Sequence, residues 1–233
     1  MTMELATIDS DRPEYPEAVE AVLPGTRLHT CGDLALFSQR GVGICGSRDA
    51  SPQALRYAYK FGKEAARQGL VVVSGFARGI DRQAHKGALD NGGATIAVLP
   101  EGIRSFSLVR ELKPLVDFER NFLAVSMFEP DAVWTSWRAM QRNRLIVALS
   151  TGIFVVEARE TGGTMNCAME CVRQAKPLWA IAYSKQSKGQ EGNLKLLQEA
   201  ALPLKLQGDL KRALEDTATK PPAEIRQLAM NLR

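Results

Sequence analysis

Six short apolar runs constrain this chain more than anything else in it: Val42–Cys45, Leu70–Val73, Thr95–Leu99, Phe122–Val125, Ile153–Val156 and Leu178–Ile181. Most lack polar alternation, as expected of strands buried on both faces, and longer helix-like segments separate them. The pattern predicts an α/β fold, a three-layer αβα sandwich around a mostly parallel sheet. At 233 residues and 45% hydrophobic content the chain can bury one good core.

Three of the runs open into loops rich in glycine and small polar residues. Gly46-Ser47-Arg48 follows the first, Ser74-Gly75-Phe76-Ala77-Arg78-Gly79 the second, and Glu157 to Thr164, with Gly162-Gly163-Thr164, the fifth. In a parallel sheet such turns converge on one edge, the carboxyl ends of the strands. Glycines there let an anion approach the backbone N–H groups, and arginines add charged forks that grip phosphate. The net charge of +4 is too small to demonstrate nucleic-acid binding by itself, so the placement of the arginines matters more. The letters of a dinucleotide fingerprint at Gly41-Val42-Gly43-Ile44-Cys45-Gly46 fall within a strand and read as accidental.

Local signals place the helices. Ser51 is an N-cap, Pro52 a first helical residue and Gly69 a stop, with Leu55, Ala58, Phe61 and Ala65 as the apolar side. A second helix is expected to begin with Asp81 as its cap. Residues 131–150 read as one helix in which Trp134 and Trp137 either stack bases or, the preferred reading, form a core-facing stripe, with Arg142 and Arg144 diverging on either side of Asn143. Phe76, inside an arginine loop, is the preferred ring for stacking on a ligand. His85 is expected to pack or hydrogen-bond beside the loops. The only other histidine is His29, so a histidine-based metal site is not expected.

Before residue 41 the Pro/Gly-bearing segment 1–40 reads as a lead-in, residues 41–205 as the main domain, and 206–233 as a tail of two short helices divided by Pro221-Pro222. Cys31, Cys45, Cys167 and Cys171 form no CxxC pair and read as reduced thiols. With an acidic N-terminus lacking an apolar core and no stretch of membrane-spanning length, the expected location is the cytoplasm.

The blocks GICGSR, VVSGFARGIDRQAHKGAL, ATIAVLPEGI, QRNRLIVALS and VVEARETGGT follow one another in the order and spacing of the DprA/Smf family of DNA-processing proteins, over roughly residues 20 to 205. This resemblance implies an extended Rossmann-like domain that binds single-stranded DNA in a basic pocket, dimerises and hands the strand to the RecA recombinase. It places Arg48 and Arg78 on DNA phosphates and matches the family's RNR block to Arg142, Asn143 and Arg144. The sequence departs from the family at Ile103 to Leu108, at Ile181-Ala182-Tyr183, and in having only a short tail where a winged-helix module is common. The expected role is DNA binding without a catalytic residue, cofactor or metal. The alternative is a nucleotide sensor or a hydrolase resembling the LOG phosphoribohydrolases, with Glu170 as its carboxylate. For that reading, TGGTMNCAME lacks the proline and spacing of the hydrolase motif.

Overall fold

A computed structural model describes residues 4–184, 187–205 and 209–225. Nine strands form one sheet: β1 (Leu5–Ile8), β2 (Leu28–Gly32), β3 (Gly41–Cys45), β4 (Val71–Ser74), β5 (Thr95–Val98), β6 (Phe122–Ser126), β7 (Ile153–Val155), β8 (Leu178–Ile181) and β9 (Leu202–Leu204). Their order is β1-β2-β6-β5-β4-β3-β7-β8-β9. From β6 to β9 every pairing is parallel, whereas β1 and β2 join through antiparallel pairs.

Helices cover both faces. On one lie α2 (Pro52–Arg67), α3 (Ile80–Leu89) and α8 (Asp209–Thr219); Phe61, Ala84 and Leu214 meet Val42, Ile44, Val72 and Phe154 of the sheet. On the other lie α1 (Glu17–Val22), α5 (Asn143–Ala148), α6 (Gly163–Arg173) and α7 (Glu191–Glu199), whose Val19, Leu145, Ala168 and Leu196 cover Val71, Val73, Val98 and Val155. A short helix, α4 (Ser136–Gln141), runs into α5 and buries none of its own residues. The expected αβα sandwich is therefore the observed fold.

All six expected strands are present. The other three escaped the pattern because they lie toward the sheet's margins: β1 is mostly exposed, β2 carries His29 and Thr30, and β9 contains Pro203, which an edge strand tolerates. The first expected helix has its predicted signals, since the Ser51 hydroxyl accepts the Ala54 N–H with Pro52 in the first turn. Three helical expectations need correction. Asp81 does not cap α3: Gly79 precedes the helix with φ +85°, and the buried Asp81 carboxylate accepts the Ala77 N–H instead. The helix expected over 131–150 starts only at Ser136, where the Thr135 hydroxyl accepts the Arg138 N–H, and two short helices meet at Arg142. Trp134 and Trp137 face solvent, with half and nearly two thirds of their surface exposed, rather than the core.

In the tail, α8 lies on the sheet and residues 222–225 begin a further helical turn; 226–233 lie outside the described residues. Among the described residues no helix is long and apolar enough to cross a membrane, and no group of three or more His, Cys, Asp or Glu is placed to hold a metal ion. The four cysteines are buried.

Candidate functional site

The sheet order puts β3 between β4 and β7, so the chain leaves β3 toward one side of the sheet and later returns on the other. Loops diverging from such a switch point leave a crevice at the carboxyl ends of the strands. Here a cleft of about 330 Å³ opens between the loops after β3 and β7, lined by Gly46, Ser47, Arg48, Arg159, Gly163 and Thr164. A second cleft of about 310 Å³ adjoins it over the loop after β4, where Gly75, Phe76, Ala77 and Arg78 lie. Arg48, Ala77, Trp134 and Arg142 line both, and the groove continues past Arg78, Gly79 and Arg82.

Backbone bonds lock these loops together. The Ser47 N–H donates to the Glu157 carbonyl (2.8 Å) and the Ile80 N–H to the Ser47 carbonyl (3.3 Å). Glu157 is buried, with one carboxylate oxygen accepting the Ser51 N–H (3.0 Å) and the other the Ser51 hydroxyl (2.6 Å). It therefore holds the start of α2 against the end of β7. At the mouth of the crevice the first turn of α6 follows Gly162 with no side-chain cap, which leaves the N–H groups of Gly163 and Thr164 to the cleft.

Arg142 forms the floor. It is 5% exposed, its Nη1 donates to the Val98 carbonyl (3.1 Å), and its Nε is buried without a partner. Its guanidinium lies against Gly75, where an added Cβ would come within 1.6 Å of Nη1, so only glycine fits beside it. Burial raises the Asp81 carboxyl above its usual range, and the nearby Arg142 charge is the largest influence opposing that rise. Glu101, at the side of the second cleft, is likewise raised by burial and opposed first by Arg142. The Arg142 charge thus opposes the effect of burial on both carboxyls, while Arg48, Arg78 and Arg159 stand exposed at the rim.

Arg48 lies over the Trp134 ring, 5.5 Å from its centroid, and Arg78 pairs with Asp49 at 2.5 Å. Both partners of that pair are well exposed, so it is worth at most about 1 kcal/mol and leaves Arg78 available to a stronger anion.

Most residues singled out from sequence meet at this edge. Ser74 sits just beneath, its hydroxyl donating to the Ile44 carbonyl (2.6 Å), and Asn143 ties α5 to α6 by donating to the Gly163 carbonyl (3.1 Å) and Asn166 (2.8 Å). Arg144 is elsewhere: its Nη2 donates to the Val22 carbonyl (2.8 Å) on the far side of α5, pinning α1 rather than entering the cleft. Phe76 has φ +58° and its ring packs at 5.4 Å on Phe106 and 6.1 Å on Phe122, so the ring expected to be free for stacking is committed to an aromatic cluster. His85 is fully buried beside that cluster, bonded to Thr95, and burial lowers its pKa to about 3. Glu170 is occupied by Arg173 and Gln174 and lines neither cleft. Residues that sequence reasoning passed over are Arg82 and Arg159. Arg82, four residues after Arg78, carried a helical-spacing signal that could have been used.

Comparison with known proteins finds relatives that share this fold. The chain is 29% identical over 197 residues to DNA processing protein DprA of Bacillus subtilis, an alignment covering 84% of this chain and 66% of that protein. It spans between about half and two thirds of the length of the curated relatives it resembles. The structure of DprA from Streptococcus pneumoniae superposes with a TM-score of 0.79 at 29% identity, covering 90% of this chain and 74% of that one. DNA processing protein A from Helicobacter pylori, described as having a unique single-stranded DNA binding mode, gives 0.78 at 25% identity over 92% of this chain and 98% of that one. The family model for DNA recombination-mediator protein A matches residues 6–215, so the chain belongs to that family.

Proposed function

We propose that this protein binds single-stranded DNA along the arginine groove and acts in DNA processing and recombination. The observation that carries the reading is the convergence of three loops, after β3, β4 and β7, on one crevice with Arg48, Arg78 and Arg159 at its rim and the incompletely bonded Arg142 in its floor. Guanidinium groups and open backbone N–H groups bind phosphate oxygens without regard to sequence. Successive phosphates of a flexible strand would lie along the groove, Arg48 and Arg78 taking neighbouring ones. Family membership supports two further steps, homodimerisation and delivery of the strand to RecA.

The binding reading is favoured over the hydrolase alternative because Glu170, the carboxylate that alternative needs, is bonded to Arg173 and Gln174 and lines neither cleft. Fluorescence anisotropy with a labelled poly-dT oligonucleotide and its duplex form, across a salt series, tests the binding reading. Single-strand binding should exceed duplex binding and weaken steeply with salt as condensed counterions are released. Absence of binding at low salt would overturn it.

A further inference from the structure

The phosphate contacts leave one surface unexplained. Val133, Trp134, Trp137 and Met140 are exposed by 69, 50, 63 and 43% respectively, four large apolar side chains within eight residues. They occupy the loop before α4 and α4 itself, which contributes nothing to the core. The patch is not remote: Trp134 lines both clefts and Met140 the first. Leaving two indoles in water has no folding benefit, so their exposure calls for something that covers them.

We propose that Trp134 and Trp137 are a stacking platform for the nucleobases of the strand whose phosphates lie in the arginine groove. The proposal rests on the single-strand reading and extends it from phosphates to bases. Three features single out bases as the occupant. The Arg48 guanidinium already lies over the Trp134 ring, so a phosphate held by Arg48 brings its attached base within reach of the indole. Trp134 lines a continuous groove rather than a closed pocket, and the exposed Trp137 follows three residues on, a spacing that suits consecutive bases of an extended strand. Finally, the cationic rim next to an apolar shelf matches a ligand that is anionic along one edge and flat and aromatic along the other. In a duplex the bases stack on one another, so the same shelf selects single strands. It reads no sequence, because every base has a π-face.

The chain's own fluorescence provides the test. The third tryptophan, Trp179, is stacked on Phe154 and donates to Thr217, so a change in emission on adding oligonucleotide reports the exposed pair. Poly-dT should quench the emission, and an abasic oligonucleotide of equal length should bind more weakly, by about tenfold or more. Trp134→Ala should weaken poly-dT binding by a similar factor, abolish the preference for poly-dT over the abasic strand, and retain the unfolding midpoint. Trp134→Phe should recover much of the loss. Equal affinity of the natural protein for poly-dT and the abasic strand, with a steep salt slope, would overturn the platform while leaving the phosphate groove intact. If neither strand binds, the groove reading falls and the platform with it. Emission that shifts with protein concentration alone, abolished by Trp134→Ala, would instead assign the patch to a second copy of the chain and overturn the proposal.

Discussion

Arg142→Ala should destabilise the fold by about 3 kcal/mol or more and abolish tight binding of single strands. The guanidinium is buried, donates to the Val98 carbonyl and faces the buried Asp81. Removing the charge that opposes the burial of Asp81 leaves that carboxyl without compensation and the Val98 carbonyl without its donor. The sign with pH follows from Asp81. Its pKa is already raised by burial, and losing the charge that opposes the rise takes it higher still. A carboxyl whose folded pKa exceeds its unfolded value contributes stability below the unfolded value, 3.8, that is lost as pH rises through the folded one. The deficit of the variant should therefore be small near pH 4 and grow toward neutrality. Urea unfolding of Arg142→Ala and of Arg142→Ala/Asp81→Asn checks this. The double variant should regain part of the loss, and a cost under 1 kcal/mol for the single one would refute the assignment of Arg142 as the charged floor.

Gly79→Ala should cost about 2 kcal/mol or more, whereas Gly163→Ala should stay within about 0.5 kcal/mol. Both glycines border the same groove, so the contrast isolates geometry. At Gly79 the backbone has φ +85°, and a Cβ would lie 2.4 Å from the Ser47 carbonyl oxygen and 2.6 Å from that of Arg48. Those oxygens belong to a loop tied to Glu157 and Ile80 and cannot retreat as a flexible side chain would. Left-handed strain and steric displacement then add, and Arg48 moves with its loop, so affinity for the strand should fall as well. At Gly163 a Cβ meets nothing within 4 Å and the backbone is unstrained. Gly162→Ala falls between them, with φ +108° but open space. Equal unfolding midpoints for Gly79→Ala and Gly163→Ala would contradict this account.

The centre of the molecule was legible in the sequence because β3 to β8 are buried on both faces and stand as uninterrupted apolar runs. Strands β1, β2 and β9 were not, since β1 is mostly exposed, β2 carries His29 and Thr30 and pairs with the distant β6, and β9 carries Pro203. The arginine loops were legible through their glycines. What periodicity could not provide was direction. Trp134 and Trp137 carry helical spacing, yet the helix starts after Trp134 and buries none of its residues, so a stripe that reads as core ends in solvent. Arg142 and Arg144, two residues apart, were expected to diverge; which one enters the cleft is settled by Gly75, whose missing side chain makes room for Arg142. Phe76 reads as a free ring until Phe106 and Phe122, distant in sequence, close over it.

The central claim is that the exposed arginines of the β3 and β4 loops neutralise successive phosphates. Its most direct test is the salt dependence of poly-dT binding by the natural chain and by the Arg48→Ala/Arg78→Ala variant. Both side chains are exposed, so the variant should unfold as the natural protein does. Each phosphate contact on a single strand contributes about 0.7 to the slope of log affinity against log salt. The account predicts that the double variant loses about 1.4 from that slope together with affinity for every sequence tested. An unchanged slope would place the phosphates elsewhere on the molecule.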